Sequence, residues 1–196
     1  MSVKRAFDVV VTTVLLVGGA PLWGFLAGCV WLDCGAPVFH RSVRAGRGGR
    51  PFTLLKFRTM AAGSGPGITR AGDPRITRAG RLLRRTRLDE VPQLLNVLRG
   101  DMSLVGPRPE DLRYVELYTS EQRRVLEVRP GIASEASIRY AREDELLARA
   151  GDGWERHYMS AVLPDKLAMD LSYVDRASLP HDIAILARAV ACVLRP

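Results

Sequence analysis

Apolar residues run almost without interruption from Ala6 to Leu32, with Asp8 the single charge inside the run. A helix rising about 1.5 Å per residue reaches across a hydrocarbon core of about 30 Å at that length. A secretory signal peptide competes with this reading, but the run is long for one and leads into no obvious cleavage site. Gly18-Gly19-Ala20-Pro21 stands at its middle. Proline removes a backbone donor and clashes with the preceding turn, and paired glycines soften the same place. A break there leaves two halves of about 15 residues, each too short to cross alone. Basic residues flank both ends: Lys4 and Arg5 before the run, then Arg41, Arg44, Arg47 and Arg50 after it. The positive-inside tendency puts both flanks on the cytoplasmic face. A helix that enters, bends at Pro21 and returns satisfies both observations, while a kinked but spanning helix remains the alternative. Asp8 lies one turn beyond Lys4 and Arg5, where pairing with either at the membrane interface needs no catalytic role.

Beyond the apolar run the pattern shortens. Pro37-Val38-Phe39 and Pro51 to Phe57 read as extended segments, separated by the Gly/Arg-rich stretch Arg44 to Arg50. The glycines and proline between Ala61 and Asp73 predict a mobile loop, and no Gly-Lys-Ser/Thr follows to make it a P-loop. Leu88, Val91, Leu95 and Leu98 fall on one face of a helix predicted around Gly80 to Leu98, with Leu94 beside them. Thr86 is a plausible cap three residues before Asp89, and Pro92 marks a first turn or a kink. Either choice puts Asp89 and Glu90 near a helix start or break. Gly100 ends that helix, and Val105-Gly106-Pro107-Arg108-Pro109 predicts a rigid, extended turn. A second helix is predicted from about Glu110 to Val128 and a third from Glu143 to Ala150. Ser178 before Leu179-Pro180 opens a last one, apolar on nearly every side to Leu194, which is either a core helix or an interfacial one with Arg188 and Arg195 at headgroups.

The formal charge of +8, mainly from arginine, suits phosphate-bearing partners, because a guanidinium grips two phosphate oxygens at once. Nucleic acid, anionic lipid and nucleotide-sugar diphosphates all qualify. Cys29, Cys34 and Cys192 show no Cys-x-x-Cys or His/Cys cluster, so they read as reduced and buried. His40, His157 and His181 lack ligand spacing. Arg75, Arg78, Arg81, Arg84, Arg85 and Arg87 crowd before Asp89-Glu90. Charge balance on a solvated face explains such a cluster. So does attack on phosphorus, where cations neutralise a diphosphate that otherwise repels an incoming carboxylate. A carboxylate is already ionised at neutral pH and needs no base to activate it.

Three longer motifs carry a resemblance. Lys56-Phe57-Arg58-Thr59-Met60, Leu88-Asp89-Glu90-Val91-Pro92-Gln93 and Gly100 to Pro109 resemble the signature of bacterial sugar transferases, the monotopic phosphoglycosyl transferases. Lys4-Arg5 with Phe7-Asp8, the Pro21 break, Asp73-Arg75-Ile76-Thr77 and Arg129-Pro130-Gly131 match in order. So does a carboxyl-terminal pattern of Lys166, Asp170, Tyr173, Ser178 and Asp182. The resemblance is to the minimal, single-domain form of the family. It implies a mostly helical α+β fold, with a re-entrant membrane helix hairpin over residues 1–35 and a compact catalytic domain with interfacial helices over residues 36–196. It places that domain on the cytoplasmic face of the bacterial inner membrane, in contact with its lipids.

The implied reaction moves a phosphosugar from a UDP-sugar to polyprenyl (undecaprenyl) phosphate through a covalent intermediate on Asp89, releasing UMP, in surface glycan or glycoconjugate assembly. Glu90 is expected to bind Mg²⁺ or position the phosphates, and Lys56, Arg58, Arg75 and Arg108 to meet phosphate or nucleotide. Lys4, Arg5, Asp8 and Pro21 belong to the membrane anchor. Where the family carries glutamine after its Pro-Val-Phe segment this chain has Ser42, and its Arg-Pro-Gly-Ile-Thr continuation becomes Arg129 to Ser134; both bear on sugar preference. A homo-oligomer is compatible with the sequence. A catalytically silent membrane scaffold is the rival, with a membrane-tethered nucleic-acid binder behind it. The basic stretch lacks interleaved aromatics, and no nucleic-acid-binding signature accompanies it, so no nucleic-acid partner is expected.

Overall fold

The computed structural model describes residues 2–61 and 73–194 and shows a mostly helical α+β protein with two small sheets. Two helices, α1 (Val3–Gly18) and α2 (Ala20–Cys34), take up the apolar run and meet at a 66° bend. Among the described residues no single helix is long and apolar enough to cross a membrane, and this bent pair alone passes that test jointly. Three local features make the break. Gly19 ends α1 by donating its N–H to Leu15 O, and Pro21 sits in the first turn of α2, where its missing donor costs nothing. The Trp23 indole then donates back to Leu15 O at 3.1 Å. Any side chain on Gly19 would meet that indole, 2.3 Å from an ideal Cβ.

Strands β1 (Phe39–Ala45) and β2 (Pro51–Phe57) pair antiparallel, from Phe39 opposite Phe57 to Ala45 opposite Pro51. The expected extended segments are therefore one hairpin. The Gly/Arg-rich stretch contributes its first two residues to β1, and the tip turns at Gly48 and Gly49, both at positive φ. The predicted loop after Ala61 falls on residues 62–72, outside the described residues, as does Arg195 at the far end.

The helix predicted over 80–98 divides in two. Helix α3 (Arg78–Arg85) stops at Thr86, whose hydroxyl donates to Leu82 O at 2.8 Å, so Thr86 closes a helix and does not cap a following one. A 3-10 turn over Leu88–Glu90 leads to α4 (Gln93–Arg99), which begins at Pro92 and ends at Gly100 in the left-handed region, φ 93°. The break rotates the buried face. Leu94 and Val97 are buried with Gln93 and Asn96, while Leu98 is exposed. Asn96, one of the two polar members of that face, accepts Leu55 N–H through its Oδ1 and donates to Thr53 O through its Nδ2, tying α4 to β2.

Strand β3 (Ser103–Val105) pairs in parallel with β4 (Gly131–Ala133). Their junction needs glycine: a Cβ on Gly106 would stand 2.4 Å from Arg129 O, and one on Gly131 2.1 Å from Gly106 N. The helix predicted from Glu110 to Val128 is reduced to α5 (Leu112–Val115) and a 3-10 stretch over Gln122–Glu127. Tyr114, Val115, Tyr118 and Val125 still turn inward, so the apolar spacing found a core face without a continuous helix. Short helices α6 (Glu135–Arg139), α7 (Glu143–Arg149) and α8 (Trp154–His157) follow, the second as predicted. A π-helical turn over Tyr158–Val162 joins α8 to α9 (Leu163–Arg176), and α10 (Leu179–Leu194) starts at Ser178 as predicted.

One core gathers around Tyr114, Tyr158, Leu147 and Leu163, and a second joins β2, α4, β3, α9 and α10. Phe7 and Val11 of α1 pack on that second core. Polar groups fasten α1 there, and their partners differ from those expected. Asp8, 2 % exposed, accepts from Ser103 Oγ at 2.8 Å and from Leu104 N–H at 3.2 Å, and pairs with neither Lys4 nor Arg5. Lys4 Nζ binds Asp182 at 2.5 Å and Val105 O at 3.0 Å; Arg5 donates to Val97 O and Leu98 O. The strand surface offers buried donors that no solvent reaches, and a carboxylate there is worth more than an exposed pair one turn away. The cysteines are free, and half-buried where burial was expected.

Candidate active site

The site is built on the break between α3 and α4. Arg87 adopts φ 57°, the one positive φ at a non-glycine among the described residues. A side chain in the left-handed region costs of order 1 kcal/mol and persists when its surroundings hold it there. Here the Arg87 guanidinium donates to Ala141 O, across from α7. The kink turns the following residues inward, and Asp89 and Glu90 are 8 % and 7 % exposed.

Two cations converge on Glu90. Lys56 Nζ from β2 and Arg108 Nη2 from the loop after β3 both donate to Oε1, at 2.9 and 2.8 Å. Strand pairing puts Lys56 there, and the Gly106 junction with Pro107 and Pro109 sets the loop that delivers Arg108. Burial pushes the Glu90 carboxyl up, yet Arg108 and Lys56 more than reverse this and hold it far below the usual carboxylate range. Glu90 in turn raises the Arg108 guanidinium. Asp89 is the opposite case. Burial raises its carboxyl; Lys56, Arg84 and Arg87 pull it back, and Glu90 pushes it further up. Its Oδ1 is buried with no hydrogen-bond partner among the described residues. Two adjacent carboxylates thus sit in divergent environments, one saturated by cations and one left open, which is the arrangement of a group that reacts beside a group that holds charge.

The predicted cations separate into those that reach the pair and those that do not. Lys56 and Arg108 do. Arg58 uses its guanidinium on the carbonyls of Cys34, Ala36, Pro37 and Met60, where it fixes the exit of α2 to the hairpin. Arg75 forms a forked pair with Asp73, with Nη2 2.6 Å from Oδ2. Arg84, which the motif comparison did not single out, lies near Asp89, Asp73 and Arg75 at once and donates to Thr59 Oγ1 at 2.8 Å. Its charge lowers the carboxyls of both Asp73 and Asp89. Arg84 and Arg87 were legible only as members of a basic run, because nothing local says which arginines of such a run turn inward.

No group of three or more His, Cys, Asp and Glu side chains able to hold a metal occurs among the described residues. Lys56 and Arg108 both bind Glu90 through Oε1, which leaves Oε2 to fit Mg²⁺, an ion that takes one or two carboxylates and completes its shell with water and substrate phosphates.

Comparison with known proteins agrees with the motifs. The model of the bacterial sugar transferase family matches residues 1–196. The uncharacterized sugar transferase EpsL of Bacillus subtilis is 41% identical over 195 residues, 99% of this chain and 88% of that protein. The UDP-glucose:undecaprenyl-phosphate glucose-1-phosphate transferase of Caulobacter vibrioides is 39% identical, over 97% of this chain and 69% of its own length. A UDP-N-acetylgalactosamine-undecaprenyl-phosphate N-acetylgalactosaminephosphotransferase of Aeromonas hydrophila is 32% identical, over 98% and 44% respectively.

Proposed function

The chain belongs to the bacterial sugar transferase family, and from that premise we propose that it transfers a phosphosugar from a UDP-sugar to polyprenyl phosphate through a covalent intermediate on Asp89. The relatives named for glucose and for N-acetylgalactosamine act with undecaprenyl phosphate, which supports the acceptor and leaves the sugar open. The observation that carries the mechanism is the buried, unpartnered oxygen of Asp89 beside a Glu90 already neutralised by Lys56 and Arg108. A carboxylate oxygen attacks the β-phosphorus, a bond from Asp89 to phosphorus forms, and the bridging bond to the α-phosphate breaks with UMP as leaving group. An oxygen of the polyprenyl phosphate then attacks the same phosphorus and returns the Asp89 carboxylate. Glu90 keeps Lys56 and Arg108 beside the diphosphate, where their charges offset the repulsion of the incoming carboxylate. Mg²⁺ would be held through Glu90, leaving the Asp89 oxygen to attack, and would neutralise phosphate charge there. Arg84 and Arg75 are the next cations outward and suit nucleotide phosphates.

For placement we propose a re-entrant hairpin over residues 1–35, carrying a cytoplasmic-facing catalytic domain over 36–196 on the inner membrane. Its support is the 66° bend together with the large apolar side chains that α1 and α2 expose, among them Val10, Val14, Val17, Phe25, Trp31 and Leu32. The outward Ile183, Val190, Val193 and Leu194 of α10 extend the same argument to an interfacial helix.

UMP release tests the reaction. Detergent-solubilised protein with Mg²⁺ is given a panel of UDP-sugars, with and without undecaprenyl phosphate. Turnover that requires the lipid is expected for one or a few donors, and Asp89→Asn is expected to abolish it, because an amide forms no acyl phosphate. Full activity in that variant would exclude the covalent route.

A further inference from the structure

Lys166 of α9 is 5 % exposed, so its charge has to be met inside the protein. Its Nζ donates to Glu143 Oε2 at 3.0 Å and to the Tyr158 hydroxyl at 3.4 Å, and lies 3.9 Å from Glu110 Oε2. The Tyr158 hydroxyl donates to Glu110 in turn. Asp170 sits one turn further along α9, 5 % exposed, and its carboxylate accepts from the Arg108 backbone. With Pro107, Pro109 and Glu110 it lines a cavity of about 20 Å³ under the Arg108 loop, room for about one water.

These contacts pose a competition. Arg108 must stay on Glu90, yet Glu143 and Glu110 also attract its charge. Glu110 is only two residues along the chain, and Arg44 lies 3.6 Å from it. Glu143 forms its ion pair with Lys166. We infer that Lys166 is a positioning residue: by neutralising Glu143 and Glu110 it leaves the Arg108 guanidinium to Glu90, so that α9 sets how many cations face the dyad. This rests on Asp89-Glu90 being the reacting pair. It goes beyond that reading by giving a role to a buried lysine outside the dyad.

The first test needs no substrate. In an experimental structure of Lys166→Met, Arg108 is expected to have turned from Glu90 onto Glu143 or Glu110. Arg108 still paired with Glu90 in that variant overturns the inference. The second test is kinetic. UMP release by Lys166→Met is expected to fall about tenfold or more in kcat, the scale of losses seen when outer partners of a charged site are removed. Lys166→Arg is expected to keep most of the rate, and Glu143→Gln added to Lys166→Met to recover part of it by removing the competitor. A lysine that only fills the core would lower the melting temperature while leaving turnover per folded molecule unchanged, with no recovery from Glu143→Gln, and that result also overturns the inference. If Lys166→Met does not fold, Lys166→Gln replaces it, with a neutral donor and the same two outcomes. A wild-type protein that releases no UMP from any donor would count against the proposed reaction, while the position of Arg108 in the variant structure would still decide this point.

Discussion

Asp170 shows what one buried carboxyl does to the whole chain's response to pH. Burial raises it to about 7, with Lys166 and the Arg108 backbone pulling the other way. In the unfolded chain the same group titrates near 4. Between those values the folded protein keeps a proton that the unfolded chain releases. The group's contribution to stability is therefore full below about pH 4 and is lost as pH rises to about 7. Asp170→Asn keeps an acceptor for the Arg108 backbone and removes the titration. Plotted against pH from 4 to 7, the unfolding free energy of the variant is expected to lose that downward slope, a difference of about 1 kcal/mol per pH unit. Parallel curves for the two proteins would mean that Asp170 does not titrate there. Arg58 marks the opposite situation at the same scale. A residue expected at a phosphate has its guanidinium on the carbonyls of Cys34, Ala36 and Pro37 at the α2 exit and of Met60 beyond β2, backbone acceptors that need a donor.

At the scale of elements, the site depends on α4 and β2 holding a constant separation, since Glu90 leads into one and Lys56 lies on the other. Asn96 is fully buried and bonds both the Leu55 N–H and the Thr53 carbonyl. Asn96→Leu has a similar volume but leaves both backbone groups without a partner. It is expected to cost about 2–4 kcal/mol in chemical denaturation, because each stranded group loses its full desolvation penalty. A loss under about 0.5 kcal/mol would indicate that the two strand groups find other partners. The break between α3 and α4 obeys the same logic. Thr86 closes one helix through its own hydroxyl, Arg87 turns left-handed, and the next turn carries both carboxylates inward.

Across the whole molecule, α1 is the piece that joins the apolar hairpin to the catalytic core. Lys4 reaches Asp182 and Val105 O, Asp8 reaches Ser103 and Leu104, and β3 leads directly to the Arg108 loop. The bend between α1 and α2 has more than one support: Gly19 at the corner, Pro21 in the next turn, and the Trp23 indole on Leu15 O. Pro21→Ala alone leaves the glycine corner and the indole bond. It is expected to keep the amino terminus where it is, while Pro21→Ala with Trp23→Phe straightens the pair. Labelling a cysteine placed at residue 2 from either side of intact membrane vesicles distinguishes the two orientations. Unchanged labelling in the double variant would assign the bend to Gly19 and to the polar fastening of α1.

The features readable from the chain alone are those whose causes lie within a few residues. The glycines and Pro21 halving the apolar run, Gly100 ending a helix, Ser178 opening one, and the ordered motifs around Lys56, Asp89 and Arg108 are all of that kind. Turn chemistry, proline geometry and periodicity act locally, so local sequence encodes them. The partners of charged groups are not local. Arg108 meets Glu90 across 18 residues, Asp8 meets Ser103 across 95, and Lys4 meets Asp182 across 178. Local rules offered Asp8 the exposed cations one turn away; the fold supplied buried donors on β3 instead, and desolvated hydrogen bonds won. The region from Glu110 to Val128 failed for the same reason: its apolar spacing was satisfied by packing against α9 without the backbone bonds of a long helix. Which carboxylate is open and which is neutralised was decided in three dimensions, because a charge's environment is a sum over neighbours that only the folded chain brings together.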